Sequence, residues 1–462
     1  MISSPEFRIQ FDKSAQLDHS DPNILVKYVT DLLISAAEKA KTKYRTSNSK
    51  KDPPWFDKSC IELKDSIKTL GAKIRKNPKD KSLKSILFEK KKELKKLVRN
   101  NKMKYKNDLM EQMKQSKNDS KKFWKLLDKM EQKEDDTIFK KGISDNRWVS
   151  HFRSIFHNPG GQPLPKNTRI SGELDREITD AEMLSAAYIL RNGKAPGFDA
   201  VSNEMLQCLI EVRPEILKSV FNSILKSPCL IKNWSMSMIN PIYKSGPKMD
   251  PDNYRGISLL SCFSKFFSSI LNLRLTEYAI EKNILSKSQL GFMAGCRTSD
   301  ALFILNNLIN YYCKSKKQYI YGCFVDFKKA FDSIPRHTLF QKLLGHGING
   351  KFYDCLVNIY SNDIACIKIA DYLTPTFTEN QGVKQGCILS PILFNIFLAD
   401  LQPLVETTAC NPVQVKGSAL GCLIWADDLL LMSKSKTGMD NMLSGLKLFT
   451  DKNGMSLNIK KN

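Results

Sequence analysis

The sequence offers five histidines, and none of its twelve cysteines forms a CxxC pair. That removes the usual zinc and dithiol motifs. The scattered thiols read as small core residues of a reducing compartment. Met1 to Gln16 lacks a basic start followed by an apolar stretch, so no secretory signal is read. No uninterrupted apolar run reaches the roughly 18–20 residues of a membrane span. The expectation is an intracellular protein of the nucleus or cytoplasm, not secreted and with no membrane partner. Oligomeric state is not legible. Acidic residues are also scarce, 48 against 72 basic ones, for a net charge of +24 and a pI near 9.4. Such a balance calls for a polyanion, nucleic acid before anionic membrane. A hydrophobic content of 42% excludes a disordered chain, and 462 residues allow two or three domains.

The charge is uneven. Residues 41–130 hold 29 basic and 11 acidic side chains, a net of +18. Leu83, Leu87, Leu94 and Leu97 recur there at helical spacing with lysines on the other faces. Residues 1–156 therefore read as a basic, mostly helical region that grips phosphates, with Phe123 and Trp124 as packing anchors. A Pro- and Gly-rich linker over 157–175 follows. A capping box, Thr179 with Glu182, then opens a helix at the start of a segment spanning 176–235.

The chemistry gathers in 236–462. Asp427 and Asp428 lie between Leu420–Ile424 and Leu429–Met432, a pattern that predicts a hairpin of buried strands with an acidic tip. Asp326 ends a second apolar run, Tyr321–Phe327. Two strands ending in carboxylates 101 positions apart would, side by side in one sheet, hold two metal ions ~3.5–4 Å apart for phosphoryl transfer. Oxygen ligands without His or Cys favour a hard ion such as Mg²⁺. Lys244 and Arg255 flank a flexible turn suited to a triphosphate. Gly382 and Gly386 bracket Gln385 ahead of a helix whose first turn carries Pro391. This is either a close approach to a nucleotide or an ordinary helix start.

Together these stretches resemble the reverse transcriptases of non-LTR (LINE-type) retrotransposons over roughly 176–462. Asn192–Asp199 is similar to their N-terminal extension motif, and Ile242–Leu259 and Gln289–Arg297 to the fingers motifs. Val325–Asp332, Gly382–Pro391, Trp425–Asp428 and Asn453–Lys461 resemble motifs A to D. The resemblance implies an α+β right-hand fold, with fingers and a palm built on an antiparallel sheet flanked by helices. It implies Mg²⁺ (two ions, with Mn²⁺ as the alternative) on Asp326, Asp427 and Asp428. Lys244, Arg255, Phe331, Gln385 and Gly386 would hold the dNTP, with Phe331 excluding a 2′-hydroxyl. Arg297 and Trp425 would meet template and primer, and Lys460 or Lys461 would protonate pyrophosphate. The implied partners are an RNA template, most simply the element's own RNA, a DNA primer and dNTPs.

Two departures qualify the resemblance. Trp425 stands where the family has Phe or Tyr. The sequence stops after motif D with no thumb, RNase H, zinc knuckle or preceding endonuclease, as in a fragment of a longer element. The readings are thus an RNA-directed DNA polymerase or a nucleic-acid-binding remnant of one. An aspartic protease built on Asp332 or Asp427 lacks the Asp-Thr/Ser-Gly turn, and Phe331 argues against an RNA-synthesising polymerase. If residues 41–130 grip phosphates, deleting them weakens RNA binding and flattens its fall between about 50 and 200 mM salt. Filter binding at both salt concentrations reads the slope; an unchanged affinity and slope would make the segment scaffold.

Overall fold

The computed structural model describes residues 21–40, 53–116, 119–131, 136–415 and 417–458. The chain divides into two compact units, Thr42–Asp136 and Met1–Lys41 with Thr137–Asn462. The basic unit is therefore shorter than the basic helical region read from sequence. The helices on either side of it fold with the rest of the chain because each carries an apolar stripe that the larger unit buries.

In the small unit, helix α1 (Lys58–Lys76) starts at Asp57, whose carboxylate accepts from Cys60 N at 3.0 Å. Helix α2 (Lys81–Gln115) starts at Asp80, which accepts from Ser82 N and Leu83 N at 2.9 and 3.1 Å. The Asn77-Pro78 break turns the chain between them. Cys60, Leu63, Ile67, Leu70 and Ile74 alternate steps of three and four, as do Leu83, Leu87, Lys90, Leu94, Leu97 and Asn101. These seams are covered along both helices, and apart from Lys90 the lysines of the two helices are exposed. Helix α3 (Ser120–Glu131) packs along the far end of α2 through Leu126.

The large unit holds α4 (Pro22–Ala40), α5 (Asp145–Phe156), α6 (Asp180–Ile189), α7 (Pro214–Lys226), α8 (Cys262–Glu281), α9 (Thr298–Ile309), α10 (Arg336–Gly345), α11 (Gly350–Tyr360), α12 (Ser390–Phe397) and α13 (Lys436–Asn453). Its strands are β1 (Met236–Tyr243), β2 (Tyr254–Leu259), β3 (Tyr321–Asp326), β4 (Asp363–Ile369), β5 (Tyr372–Leu373), β6 (Phe377–Glu379), β7 (Val413–Val415), β8 (Ser418–Leu420), β9 (Cys422–Trp425) and β10 (Asp428–Ser433). One sheet runs β2-β1-β4-β5 with β6 on β4; a second runs β3-β10-β9. The first sheet is mixed, not antiparallel as expected, because β1 and β4 pair in parallel. Helices between these two strands return the chain to the starting edge, as a parallel pair requires.

Helix α8 is covered on nearly every face and forms the spine of the core. Its Arg274 is 1% exposed and donates to Glu182 and to the carbonyls of Leu174, Arg176 and Glu177. Burial alone would raise the Glu182 pKa, but its bonds to Arg274 win and bring it to about 2. The expected capping box with Thr179 is present. Helix α4 buries Leu25, Val26, Val29 and Leu33 against the same core. Helix α5 lays Trp148, Phe152 and Phe156, one per turn, across the first sheet, with successive rings stacked at 5.9 and 6.0 Å. Gly256 leaves the room for this, since a Cβ there would lie 2.6 Å from the Phe152 ring.

The expected linker is strapped down. Asn158 N donates to Asn380 Oδ1, Tyr353 Oη to Pro165 O, and Asn167 Nδ2 to Gly350 O, at 2.7, 2.7 and 3.0 Å. With no regular structure of its own, the segment is tied down by Asn380 from a loop, by Tyr353 from α11 and by its own Asn167.

One buried polar network ties the layers together. Arg336 donates to Asp363 Oδ2 (2.9 Å) and to the carbonyls of Gly382, Tyr360 and Glu379. Lys384 donates to Asp363 Oδ1 at 2.7 Å. All three charged side chains are at most 3% exposed. Glu379 lies alongside, its carboxyl pushed up by burial and accepting from Ser237 Oγ. Asp363→Asn leaves two buried cations short of a countercharge and is expected to cost about 3–5 kcal/mol in urea unfolding. A loss below about 1 kcal/mol would mean that Glu379 takes over the role.

Candidate active site

The second sheet alternates cleanly. Val325, Leu429, Leu431, Ile424 and Cys422 enter the main core, while Leu430, Met432 and Leu423 meet Leu308 and Tyr312 on the other face. Asp326 lies opposite Asp428 in the β3–β10 ladder, and Trp425 opposite Asp428 in the β9–β10 ladder. Directly opposed residues share a face with Cβ atoms about 4.5–5.5 Å apart. Asp427 occupies the two-residue turn with Ala426, whose φ is +56°. The expected hairpin with an acidic tip is therefore present. Its strands are buried but its acids are not: Asp428 is exposed, and Asp326 and Asp427 are half-buried. In front of them opens a cleft of about 570 Å³ lined by Thr298, Leu302, Phe324, Asp326, Trp425 and Asp428.

Asp326 is also held from the C-terminal side. Asn458 donates its Nδ2 to Asp326 Oδ2 and its backbone N to Asp326 O, at 2.9 and 2.8 Å. Phe327 forms an isolated antiparallel bridge with Leu457. Among the described residues no group of three or more His, Cys, Asp or Glu side chains forms a closed cage for a metal. The donor set still suits a hard ion, because Mg²⁺ is commonly held by one or two carboxylates with water and substrate phosphates completing the shell.

Phe331 stacks on Phe394 of α12 at 4.3 Å and 7°, and meets Phe292 edge-on at 5.8 Å. Beside it, Gln385 Nε2 donates to Asp332 Oδ1 at 2.7 Å. Gln385 O accepts from Ser258 N of β2 at 2.8 Å, which joins the 382–387 loop to the first sheet. Gly386 is needed at this junction, with φ +123° and the Ser258 carbonyl 2.6 Å from where a Cβ would stand. Lys244 and Arg255, both exposed, stand at the β1–β2 hairpin, closed by Lys244 N to Asn253 O at 2.8 Å. Burial pushes the Asp332 carboxyl up to about 6; Gln385, Lys329 and Arg255 oppose the shift and Glu379 adds to it. Arg255 is thus near enough to Asp332 for their charges to interact.

The fold thus groups Asp326, Asp428 and Trp425 at the cleft, with Asp427 in the adjoining turn, and Phe331, Gln385 and Gly386 with Arg255 around Asp332. Arg297 precedes α9, where its backbone N donates to Asp300 at 2.7 Å, and its side chain is exposed. Lys460 and Lys461 lie outside the described residues. Sequence reasoning weighed Asp332 only as a protease acid and missed its bond to Gln385. It also missed the roles of Asn458 and of Lys329, which has φ +50°. Asn458 had a signal, its place within the last motif; nothing in the sequence marks Lys329.

A family profile described as "Reverse transcriptase (RNA-dependent DNA polymerase)" matches residues 243–462. The chain is 30% identical over 227 residues to the probable RNA-directed DNA polymerase from transposon BS of Drosophila melanogaster, covering 49% of this chain and 25% of that one. It is 26% identical to the RNA-directed DNA polymerase from mobile element jockey of the same fly, covering 56% and 27%. It is 26% identical to the Pol polyprotein of the type-1 retrotransposable element R2 of Nasonia vitripennis, covering 54% and 23%. The chain spans about a quarter of the length of these relatives. Apo telomerase from Candida tropicalis, truncated from its C-terminal domain, aligns with 74% of this chain and 87% of its own at a TM-score of 0.36 and 14% identity. That likeness is too distant to enter the argument.

Asp332 makes a pH prediction. Its folded pKa of about 6 lies above the ordinary 3.8, so its contribution to stability is full below about pH 3.8 and is lost as pH rises through 6. Relative to Asp332→Asn, the parent is expected to lose about 1 kcal/mol between pH 5 and pH 8. Urea unfolding of both proteins at the two pH values checks this; parallel stabilities would mean that Asp332 titrates as an ordinary exposed carboxyl.

Proposed function

We propose that this chain, whose residues 243–462 form a reverse transcriptase domain related to those of non-LTR retrotransposons, extends a DNA primer on an RNA template by two-metal phosphoryl transfer. The observation that carries the reading is the register of the second sheet, with Asp326 opposite Asp428 and Asp427 in the adjoining turn. Asp326, Asp427 and Asp428 would hold the two Mg²⁺ ions, whose chemistry is to lower the pKa of the primer 3′-hydroxyl and to neutralise the triphosphate and its leaving group.

The remaining residues bind and orient. Lys244 and Arg255 take the β- and γ-phosphates as exposed cations on one hairpin. Phe331, braced by Phe394, lies under the sugar and leaves no room for a 2′-hydroxyl. Asp332 fixes the Gln385 amide with its nitrogen inward, so that its oxygen faces the nucleotide and template. Trp425, beside Asp428 at the cleft, supports the primer terminus with a larger ring than the Phe or Tyr expected there. In this reading the β1–β2 sheet belongs to the fingers and the β3–β10–β9 sheet to the palm. The exposed lysines of the helical hairpin at 58–115 add non-specific affinity for RNA.

Primer extension on a defined RNA template with dNTPs and Mg²⁺, beside the Asp427→Asn/Asp428→Asn double variant, tests the reading. The parent is expected to extend and the variant to lose at least about 100-fold in rate, with its fold retained by circular dichroism. Equal synthesis by both would end the two-metal assignment. RNA binding without extension by either would favour a nucleic-acid-binding role.

A further inference from the structure

The turn that carries Asp427 is gripped from outside its own hairpin. Gln289 is 4% exposed. Its Oε1 accepts from Ala426 N at 3.1 Å and from Gly291 N at 2.8 Å, and its Nε2 donates to Ala426 O at 3.4 Å. One amide thus takes both backbone polar groups of Ala426. The chain around it runs beside β9: Ile424 N donates to Ser288 O at 2.9 Å and Leu290 N to Ile424 O at 2.8 Å. Gly291 completes the seat, since a Cβ there would collide with the Ala426 nitrogen. Asn395 of α12, 2% exposed, donates to Gly291 O at 3.1 Å and ties the seat to the helix that braces Phe331.

The held residue has reason to move. Ala426 is a non-glycine residue at φ +56°, a left-handed conformation that costs an L-residue on the order of 1 kcal/mol or more and persists where the surroundings fix it. A loosened Ala426 redirects the peptide that leads into Asp427, because its carbonyl is one of the groups gripped. Gln289 is not among the residues that line the cleft, and its bonds to the turn are to backbone groups, so it acts through the backbone.

We propose that Gln289 is a positioning residue that locks the Ala426–Asp427 turn and thereby sets the aim of the Asp427 and Asp428 carboxylates. The consequence for metal binding rests on the reading of those carboxylates given above; the lock itself does not. Gln289→Met keeps the length and removes all three bonds.

Two measurements on the intact chain separate the claims. Amide hydrogen exchange reads the lock without metal: the Ala426 amide is expected to be protected in the parent and to exchange at least about 10-fold faster in Gln289→Met, as the loss of one or more hydrogen bonds implies. An unprotected Ala426 amide in the parent, which needs no variant to fold, overturns the proposal, as does unchanged exchange in the variant. Mn²⁺ titration, followed by its electron paramagnetic resonance signal, reads the consequence. Gln289→Met is expected to bind Mn²⁺ about 10-fold more weakly at a temperature where both proteins are fully folded, and Asp427→Asn/Asp428→Asn to lose the site. Equal Mn²⁺ affinity in the parent and Gln289→Met, with the double variant impaired, overturns the positioning role and spares the two-metal reading. Equal affinity in the parent and the double variant sinks the metal reading, and the exchange result alone then decides the lock.

Discussion

The site depends on the Asp363 carboxylate, shared between Arg336 and Lys384 in the interior. Arg336 opens α10, just after the turn that bears Phe331 and Asp332. Lys384 stands next to Gln385. Asp363 begins β4, the strand that pairs with β1 of the first sheet. One buried anion thus joins three separate segments of the chain. Buried ion pairs are weak evidence for net stability, since desolvation offsets much of their attraction. Their geometry is nevertheless demanding, and here it fixes the 380–387 loop through Lys384 and through the Gly382 carbonyl that Arg336 also takes.

From that junction the arrangement spreads in two directions. Toward the first sheet, Gln385 O accepts from Ser258 N, and Gly386 allows the close approach. Toward the second sheet, Phe331 stacks on Phe394, and α12 reaches Gly291 through Asn395. Gly291 and Gln289 then hold Ala426, one residue before the acidic pair. A continuous path of packed and hydrogen-bonded groups therefore runs from the fixed loop to the turn bearing Asp427. Exposed cations and the acidic turn are placed at its ends by a buried interior.

Much of this was legible in the chain. Short apolar runs around Asp326 and Asp427 marked the strands, and doubling of the acid after Ala426 marked the tip. Thr179 with Glu182 announced its own capping box, and Pro391 its helix start. These are local signals, written within a few residues of where they act. The buried network was not legible, because Arg336, Asp363 and Lys384 are ordinary charged residues in a sequence rich in them. Gln289 was visible only as part of a motif, with nothing to say what its amide would touch. The antiparallel expectation failed at β1 and β4 for the same reason: strand direction is set by the helices that return the chain, not by the strands themselves.

The sequence by itself determined the chemistry on offer. It supplied carboxylates at strand ends, cations at a hairpin, aromatic and glycine residues at spacings that resemble a polymerase, and a separate surplus of positive charge on a helical hairpin. Side-chain type and short-range periodicity are enough for that. Tertiary structure decided which of these meet. It placed Asp428 between Asp326 and Trp425, turned Gln385 onto Asp332, raised the Asp332 pKa by burial, and set Gln289 behind the acidic turn. Each of those depends on pairs more than fifty residues apart or on the exclusion of water, and neither is encoded in any one stretch of chain.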